Sequence, residues 1–220
     1  MEFYIDSAKI SEIKEACSYG IVSGVTTNPS LVLLSGNADY ESMVKEICEV
    51  VNGPVSAEIT AEGIDKMIEQ GRKIAKWHPN VVVKIPMTEE GFKVTAVLAK
   101  ENIKVNMTLC FTLSQAILAA RAGAAYVSPF VGRLDDINQD GVALISDIME
   151  VYELYGYETR VIAASIRHSQ HVYLCAKAGV DIATMPFSVF KQCFTHPLTD
   201  AGQKRFMEDW QKTQEQFGMK

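Results

Sequence analysis

Val81-Val82-Val83-Lys84-Ile85-Pro86 is the most apolar strand-like run in this 220-residue chain, and it holds a lysine. Lysine is among the least buried residue types, and keeping its charge in an apolar wall is costly. Two outcomes fit the run. The side chain can snorkel from the strand end into water. Alternatively it can shed its proton, and a neutral amine at the end of a buried strand is a nucleophile for carbonyl carbon.

Similar short runs recur on both sides of this one. Candidate strands are Phe3–Asp6, Val22–Thr26, Val55–Ile59, Val81–Ile85, Ile103–Thr108, Tyr126–Pro129, Arg160–Ala164 and Asp181–Met185. Several are β-branched and flanked by turn residues. Between them Glu62–Lys76, Glu89–Lys100, Thr112–Ala122 and Gly141–Tyr155 have helix-like periodicity, and Gly123 and Gly179 follow two such segments as candidate C-caps. Eight strands alternating with helices predict an α/β protein, a (β/α)8 TIM barrel. An open doubly wound sheet is the alternative, but no G-x-G-x-x-G follows a strand, which weakens a dinucleotide-binding version. With about 27 residues per β/α unit, loops have to be short. One barrel domain is expected over residues 1–220, with an additional C-terminal helix at 198–217. Phe206, Trp210 and Phe217 fall broadly on one face of that helix, with Met207 beside it. This face can pack on its own barrel or on a neighbouring subunit.

The bulk numbers narrow the partners. The net charge of −6 argues against nucleic-acid binding and leaves no polybasic membrane patch, so an anionic ligand needs a local cluster of positive charge. Five cysteines, odd in number and never spaced C-x-x-C, fit reduced thiols in a cytoplasmic protein. Met1 to Asp6 read as a strand rather than a targeting signal, and no apolar stretch approaches membrane-spanning length.

In barrels of this kind the reacting groups gather at the C-terminal ends of the strands. Unusual polar residues stand there. Asp6 ends the first strand, Thr26-Thr27-Asn28-Pro29 the second, Glu58 the third, and Lys84 lies near the end of the fourth. Asn106 and Thr108 close the fifth, Ser128 and Arg133 bracket the end of the sixth, and Ser165 and Arg167 follow the seventh. Singly, each has an ordinary role: Asp6 as a helix cap, Asn28 in an Asx turn, Arg133 as a solvated charge. Together they supply what ketose chemistry needs. An amine forms a Schiff base with a ketone, and the iminium is an electron sink for C–C cleavage. A carboxylate takes the hydroxyl proton. Arginine with a serine hydroxyl suits phosphate.

Three segments in this order, Gly24-Val25-Thr26-Thr27-Asn28-Pro29-Ser30, Val83-Lys84-Ile85-Pro86 and Ser128-Pro129-Phe130-Val131-Gly132-Arg133, resemble the transaldolase family, specifically its short-chain branch, which also contains fructose-6-phosphate aldolase. The resemblance runs from Met1 through the C-terminal helix. It implies Lys84 as the Schiff-base lysine, Asp6 as the acid/base at the cleaved bond, and Glu58 with Thr108 as the pair holding a catalytic water. It implies that Asn28 and Asn106 hold substrate hydroxyls, and that Arg133, Ser165 and Arg167 form the phosphate site. The implied reaction moves a dihydroxyacetone unit from sedoheptulose 7-phosphate to glyceraldehyde 3-phosphate, giving erythrose 4-phosphate and fructose 6-phosphate, as in the non-oxidative pentose phosphate pathway. No metal and no organic cofactor are implied. The implied assembly is a homo-oligomer, a ring-based decamer in which the terminal helix reaches a neighbour. The aldolases of the branch carry tyrosine where Phe130 stands, glutamine where Glu58 stands and lysine where Arg167 stands. Phenylalanine cannot donate a hydrogen bond to the catalytic water, so the enamine is expected to wait for an acceptor aldehyde, which is transaldolase behaviour. An aldolase releasing free dihydroxyacetone, or a non-catalytic sugar-phosphate binder, would use the same residues.

Other candidates point to ordinary roles. His168 and His171, spaced i, i+3, have no evident third metal ligand and read as a solvated helix face. Cys110, two residues beyond Thr108, reads as a small apolar filler.

Overall fold

The computed structural model describes residues 1–36 and 39–218. Strand β1 (Glu2–Asp6) leads to α1 (Ile10–Ser18), and β2 (Val22–Thr26) to α2 (Pro29–Ser35) and α3 (Tyr40–Val50). Next come β3 (Val55–Glu58) with α4 (Ile64–Ala75), β4 (Val81–Pro86) with α5 (Glu89–Lys100), and β5 (Val105–Cys110) with α6 (Leu113–Arg121). Then β6 (Tyr126–Pro129) leads to α7 (Val131–Asp135) and α8 (Gly141–Tyr155), and β7 (Arg160–Ala163) to α9 (Ser169–Lys177). Last are β8 (Ile182–Met185), α10 (Phe187–Gln192) and α11 (Pro197–Phe217). The strands are parallel and close in chain order, β1 pairing with β8. This is the TIM barrel, with a C-terminal helix added.

Local chemistry starts and stops these helices as the residue types require. Asn28, Thr88, Thr112 and Asp140 each accept a backbone N–H three residues ahead, capping α2, α5, α6 and α8. Pro29 and Pro197 stand at the first helical positions, where no N–H is needed. Gly123 and Gly179 take the left-handed conformation just past α6 and α9, at φ 87° and 79°, as their expected C-cap role demands.

The barrel interior has a dry end and a polar end. Toward the strand N-termini, Tyr4, Val82, Tyr126, Ile162 and Ile182 form a separate buried cluster that plugs the barrel. The Tyr4 ring lies so close to Gly24 that a Cβ at that position would overlap it. Above the plug, polar side chains pair across strands: Asn106 Nδ2 donates to Ser56 Oγ at 3.1 Å, and Ser128 Oγ donates to Asn106 Oδ1 at 2.8 Å. Every polar atom in those contacts is satisfied without water, so a buried polar layer persists directly beneath the mouth.

Two departures from the periodicity have clear causes. Strand β5 begins two residues later than the apolar run and continues to Cys110, with a register shift between Met107 and Cys110 and Leu109 in the left-handed region at φ 61°. The bulge re-aims the strand end, so that both Thr108 and Leu109 line the mouth. Helix α7 is only five residues long and interrupts the path from β6 to α8; periodicity over so short a segment carries no signal. The terminal helix does not pack on its own barrel: no residue of α11 is buried, and Leu198, Phe206, Met207, Trp210 and Phe217 are at least half exposed.

Candidate active site

At the C-terminal ends of the strands a cavity of about 440 Å³ is lined by Asp6, Asn28, Glu58, Lys84, Thr108, Ser128, Phe130, Arg133, Ser165 and Arg167, among others. Nine of the ten residues that the family resemblance singles out, Phe130 included, line it, and Ser128 joins them. Asn106 does not: it is fully buried one layer below, with its amide engaged by Ser56 and Ser128, and it reaches the cavity through Ser128.

Lys84 is 5 % exposed. It does not snorkel to bulk water. Its Nζ lies 3.0 Å from Glu58 Oε2 and donates to the Thr27 carbonyl at 2.9 Å. Glu58 and Lys84 are register partners on β3 and β4, so strand pairing itself sets the carboxylate beside the amine. A phenol from outside the barrel tightens this pair. Tyr40 Oη on α3 accepts the Glu58 backbone N–H at 2.7 Å and lies 3.4 Å from Thr27 Oγ1, while Thr27 Oγ1 donates to the Ser56 carbonyl at 2.8 Å. Both groups that hold the amine are thereby tied to one ring, which packs edge-on against Trp77. Tyr40 is 18 residues from Glu58 in the chain, and no sequence pattern marks it as a site residue.

Asp6, across the cavity on β1, accepts from Thr26 Oγ1 at 2.7 Å. Thr26 Oγ1 is also 2.6 Å from Thr184 Oγ1. With Thr26 donating to the carboxylate, Thr184 donates to Thr26, and the relay orients Asp6 from β2 and β8. Burial raises the Asp6 carboxyl above its ordinary range, against the opposing pull of Lys84 and of the Thr26 hydrogen bond. Thr108 Oγ1 is buried with no hydrogen-bond partner among the described residues, which leaves its donor and acceptor capacity for a molecule in the cavity.

The rim differs. Arg133 leaves α7 with its guanidinium carbon 4.8 Å from the centroid of the Phe130 ring. Among the described residues no carboxylate lies within ion-pair distance of it. Arg133 is therefore not merely a solvated charge but a cation stacked over the cavity wall. Phe130 in turn meets Phe111 edge-on. Arg167 Nη2 pairs with Asp136 Oδ2 at 2.8 Å, both side chains about half exposed. Ser165 adopts a left-handed backbone at φ 58°, unusual for a residue with a side chain, and its carbonyl accepts the Gly132 N–H at 3.0 Å. At Gly132 a Cβ would collide with that carbonyl and with Arg167, so the glycine lets α7 and the β7–α9 loop meet.

Two other expectations meet the structure here. Cys110 is a buried filler, its thiol pushed up to about 12 by burial. The solvated histidine face holds for one of the pair only: His168 is exposed, whereas His171 is not. His168 caps α9, and His171 is buried with Nε2 2.8 Å from Asp135 Oδ2. The i, i+3 spacing places both at the first turn, where capping and burial compete with exposure. Among the described residues no His/Cys/Asp/Glu group is arranged to hold a metal ion, and no helix is long and apolar enough to cross a membrane.

Fold and site together define a (β/α)8 barrel with a buried amine–carboxylate pair in its C-terminal mouth and guanidiniums at the rim. Comparison with known proteins narrows the class. The family described as Transaldolase/Fructose-6-phosphate aldolase matches residues 3–219. Proteins named probable transaldolase 1 from Listeria monocytogenes and probable transaldolase from Dehalococcoides mccartyi are 56 % and 55 % identical, covering 96 % and 97 % of this chain and 98 % and 100 % of their own. A probable transaldolase from Methanococcus maripaludis is 54 % identical over 96 % of this chain and 98 % of its own. A solved structure described as a candidate fructose-1,6-biphosphate aldolase from Coccidioides immitis superimposes with a TM-score of 0.58 over 90 % of this chain and 81 % of its own; at 13 % identity it speaks to the fold alone. This chain belongs to the transaldolase/fructose-6-phosphate aldolase family, and it is an enzyme.

Proposed function

We propose that the enzyme is a transaldolase that moves a dihydroxyacetone unit from sedoheptulose 7-phosphate or fructose 6-phosphate to an aldose phosphate through a Schiff base on Lys84. The observation that carries this reading is the 3.0 Å contact between the buried Lys84 Nζ and Glu58 Oε2, which is within proton-transfer reach. The ammonium passes a proton to Glu58, and the free amine adds to the donor's ketone carbon. The resulting carbinolamine takes the proton back on its oxygen, with Thr108 positioned to hydrogen-bond the departing water, and becomes an iminium. Asp6 then removes the proton of the hydroxyl on the far carbon of the bond to be broken, whose C–O becomes the new aldehyde carbonyl. That C–C bond's electrons flow into the iminium, an aldose phosphate leaves, and an enamine remains on Lys84. Addition of the enamine to an acceptor aldehyde reverses these steps and releases the new ketose. A raised Asp6 carboxyl suits a group that must accept and return a proton. On this reading Arg133 and Arg167, with the Ser165 hydroxyl, hold the phosphate that donor and acceptor each carry; that all three line the cavity supports it. Asn28, whose Oδ1 already accepts the Leu31 N–H at 3.0 Å, retains its amide hydrogens for substrate hydroxyls, and Asn106 acts on them through Ser128.

Phe130 in the cavity wall favours transfer over hydrolysis, because it offers no donor to a water near the enamine. The test is fructose 6-phosphate with and without erythrose 4-phosphate: glyceraldehyde 3-phosphate should form at a substantial rate only with the acceptor. Release at full rate without acceptor, together with free dihydroxyacetone, would identify an aldolase instead.

We also propose a homo-oligomeric, cytoplasmic protein. Helix α11 spans 21 residues, about 31 Å, and none of its residues is buried. A helix without packing is marginal in water, so its Phe206, Trp210 and Phe217 are read as docking on a second copy of this chain. Light scattering on the full chain and on a chain ending at His196 tests this; a monomer from the full chain would refute it.

A further inference from the structure

The histidines beneath the rim take no part in the reaction proposed above. His171, in the first turn of α9, makes two directed contacts. Its Nδ1 accepts the Arg167 backbone N–H at 3.3 Å, which leaves that nitrogen unprotonated and places the ring hydrogen on Nε2. Nε2 donates that hydrogen to Asp135 Oδ2 at 2.8 Å. Asp135 ends α7, two residues beyond Arg133, and its Oδ1 accepts the Gly141 N–H at 3.0 Å where α8 begins. Arg167 lies two residues beyond the left-handed Ser165, whose carbonyl is bonded to Gly132. One imidazole thus joins the helix that carries Arg133 to the loop that carries Ser165 and Arg167.

Both guanidinium side chains are long and exposed, so their separation depends on how firmly their backbones are held. Resting on the phosphate reading above and deepening it, we infer that His171 is a positioning residue that sets the spacing of the Arg133 and Arg167 arms, and through it the preference for a phosphorylated over an unphosphorylated ketose. Neutrality is part of the device. An imidazolium carries hydrogens on both nitrogens, and Nδ1–H would oppose the Arg167 N–H. The groups facing the ring are the Asp135 carboxylate from α7, the His168 ring at a centroid distance of 3.8 Å from the α9 cap, and the Arg167 guanidinium from the loop; Asp135 also faces the Cys175 thiol on α9. Burial first, then His168, hold His171 below the ordinary histidine range despite Asp135, so the ring is neutral at pH 7.

The test measures kcat/KM for fructose 6-phosphate against kcat/KM for fructose, in the wild type and in H171F and H171Q, with inhibition by inorganic phosphate in parallel. H171F removes both bonds. H171Q keeps a donor toward Asp135, shifts its acceptor to an amide oxygen at the end of the side chain, away from the Nδ1 position that serves Arg167, and carries the test if H171F does not fold. The ratio should fall about tenfold in a folded variant, with the inhibition constant for phosphate rising to match. In the wild type the ratio should fall more steeply below about pH 6.5 than in H171Q, which has no titrating ring. A ratio within about twofold of wild type in folded H171Q, with the same pH dependence, overturns the role of His171 while the phosphate site stands. A wild-type enzyme that neither prefers the phosphorylated ketose nor is inhibited by phosphate overturns both.

Discussion

Lys84 and Arg167 face one cavity from opposite kinds of structure. The amine stands on a strand, is 5 % exposed, and is held by Glu58 at the end of the adjacent strand β3 and by the Thr27 carbonyl just past β2. The guanidinium stands on a loop, is 52 % exposed, and has one acidic partner, itself exposed. A reacting group gains from this rigidity, because a displacement of one ångström costs rate heavily. An anion-binding arm gains less, since two delocalised cations tolerate some motion around a phosphate. The contrast assigns chemistry to the strand wall and affinity to the rim, and substitutions on each side should separate along that line.

The largest effect belongs to the strand wall. K84A should lower kcat by at least about a thousandfold with the far-UV circular dichroism unchanged. Residual turnover within about tenfold of wild type would dissolve the contrast. Next comes D6N, expected to lower the cleavage rate by about 10² to 10⁴. The same variant should be more stable than wild type at pH 7. Because burial raises the folded-state carboxyl pKa, Asp6 stabilises the fold below the unfolded value, about pH 4, and that contribution is lost as pH rises through the folded value. The stability advantage of D6N should therefore fade below about pH 4, which thermal melts across pH will show.

Rim changes should act mainly on binding. R133A should lower kcat/KM for phosphorylated donors by about a hundredfold, chiefly through KM, since it removes the guanidinium that has no carboxylate partner among the described residues. An equal loss in kcat would place Arg133 in the chemistry instead. The smallest change expected is F130Y, which brings a phenol to the cavity wall and should raise acceptor-independent release of glyceraldehyde 3-phosphate by about tenfold. Unchanged release would remove Phe130 from the account.

The same contrast governs what was legible in the sequence. Strand-borne site residues follow from barrel geometry: once β4 is recognised in Val81–Pro86, its polar member and those of its neighbours fall at one end. Nine of the ten candidates indeed line the cavity. Asn106 is the exception because strand alternation gives the direction of a side chain but not its depth, and Ser128 lies above it. Tyr40, the Thr184–Thr26 relay and His171 were not legible, since each acts through a contact between elements distant in the chain or through a short turn without periodicity. The terminal helix was legible as an amphipathic segment, but its detachment from the barrel is a property of tertiary structure alone.

The central claim is that Lys84 forms the covalent intermediate. Incubation with fructose 6-phosphate and borohydride, followed by peptide mass spectrometry, should locate a reduced dihydroxyacetone adduct on Lys84 and stoichiometric loss of activity. Absence of any adduct under conditions that support turnover, or an adduct on another lysine, would contradict the account.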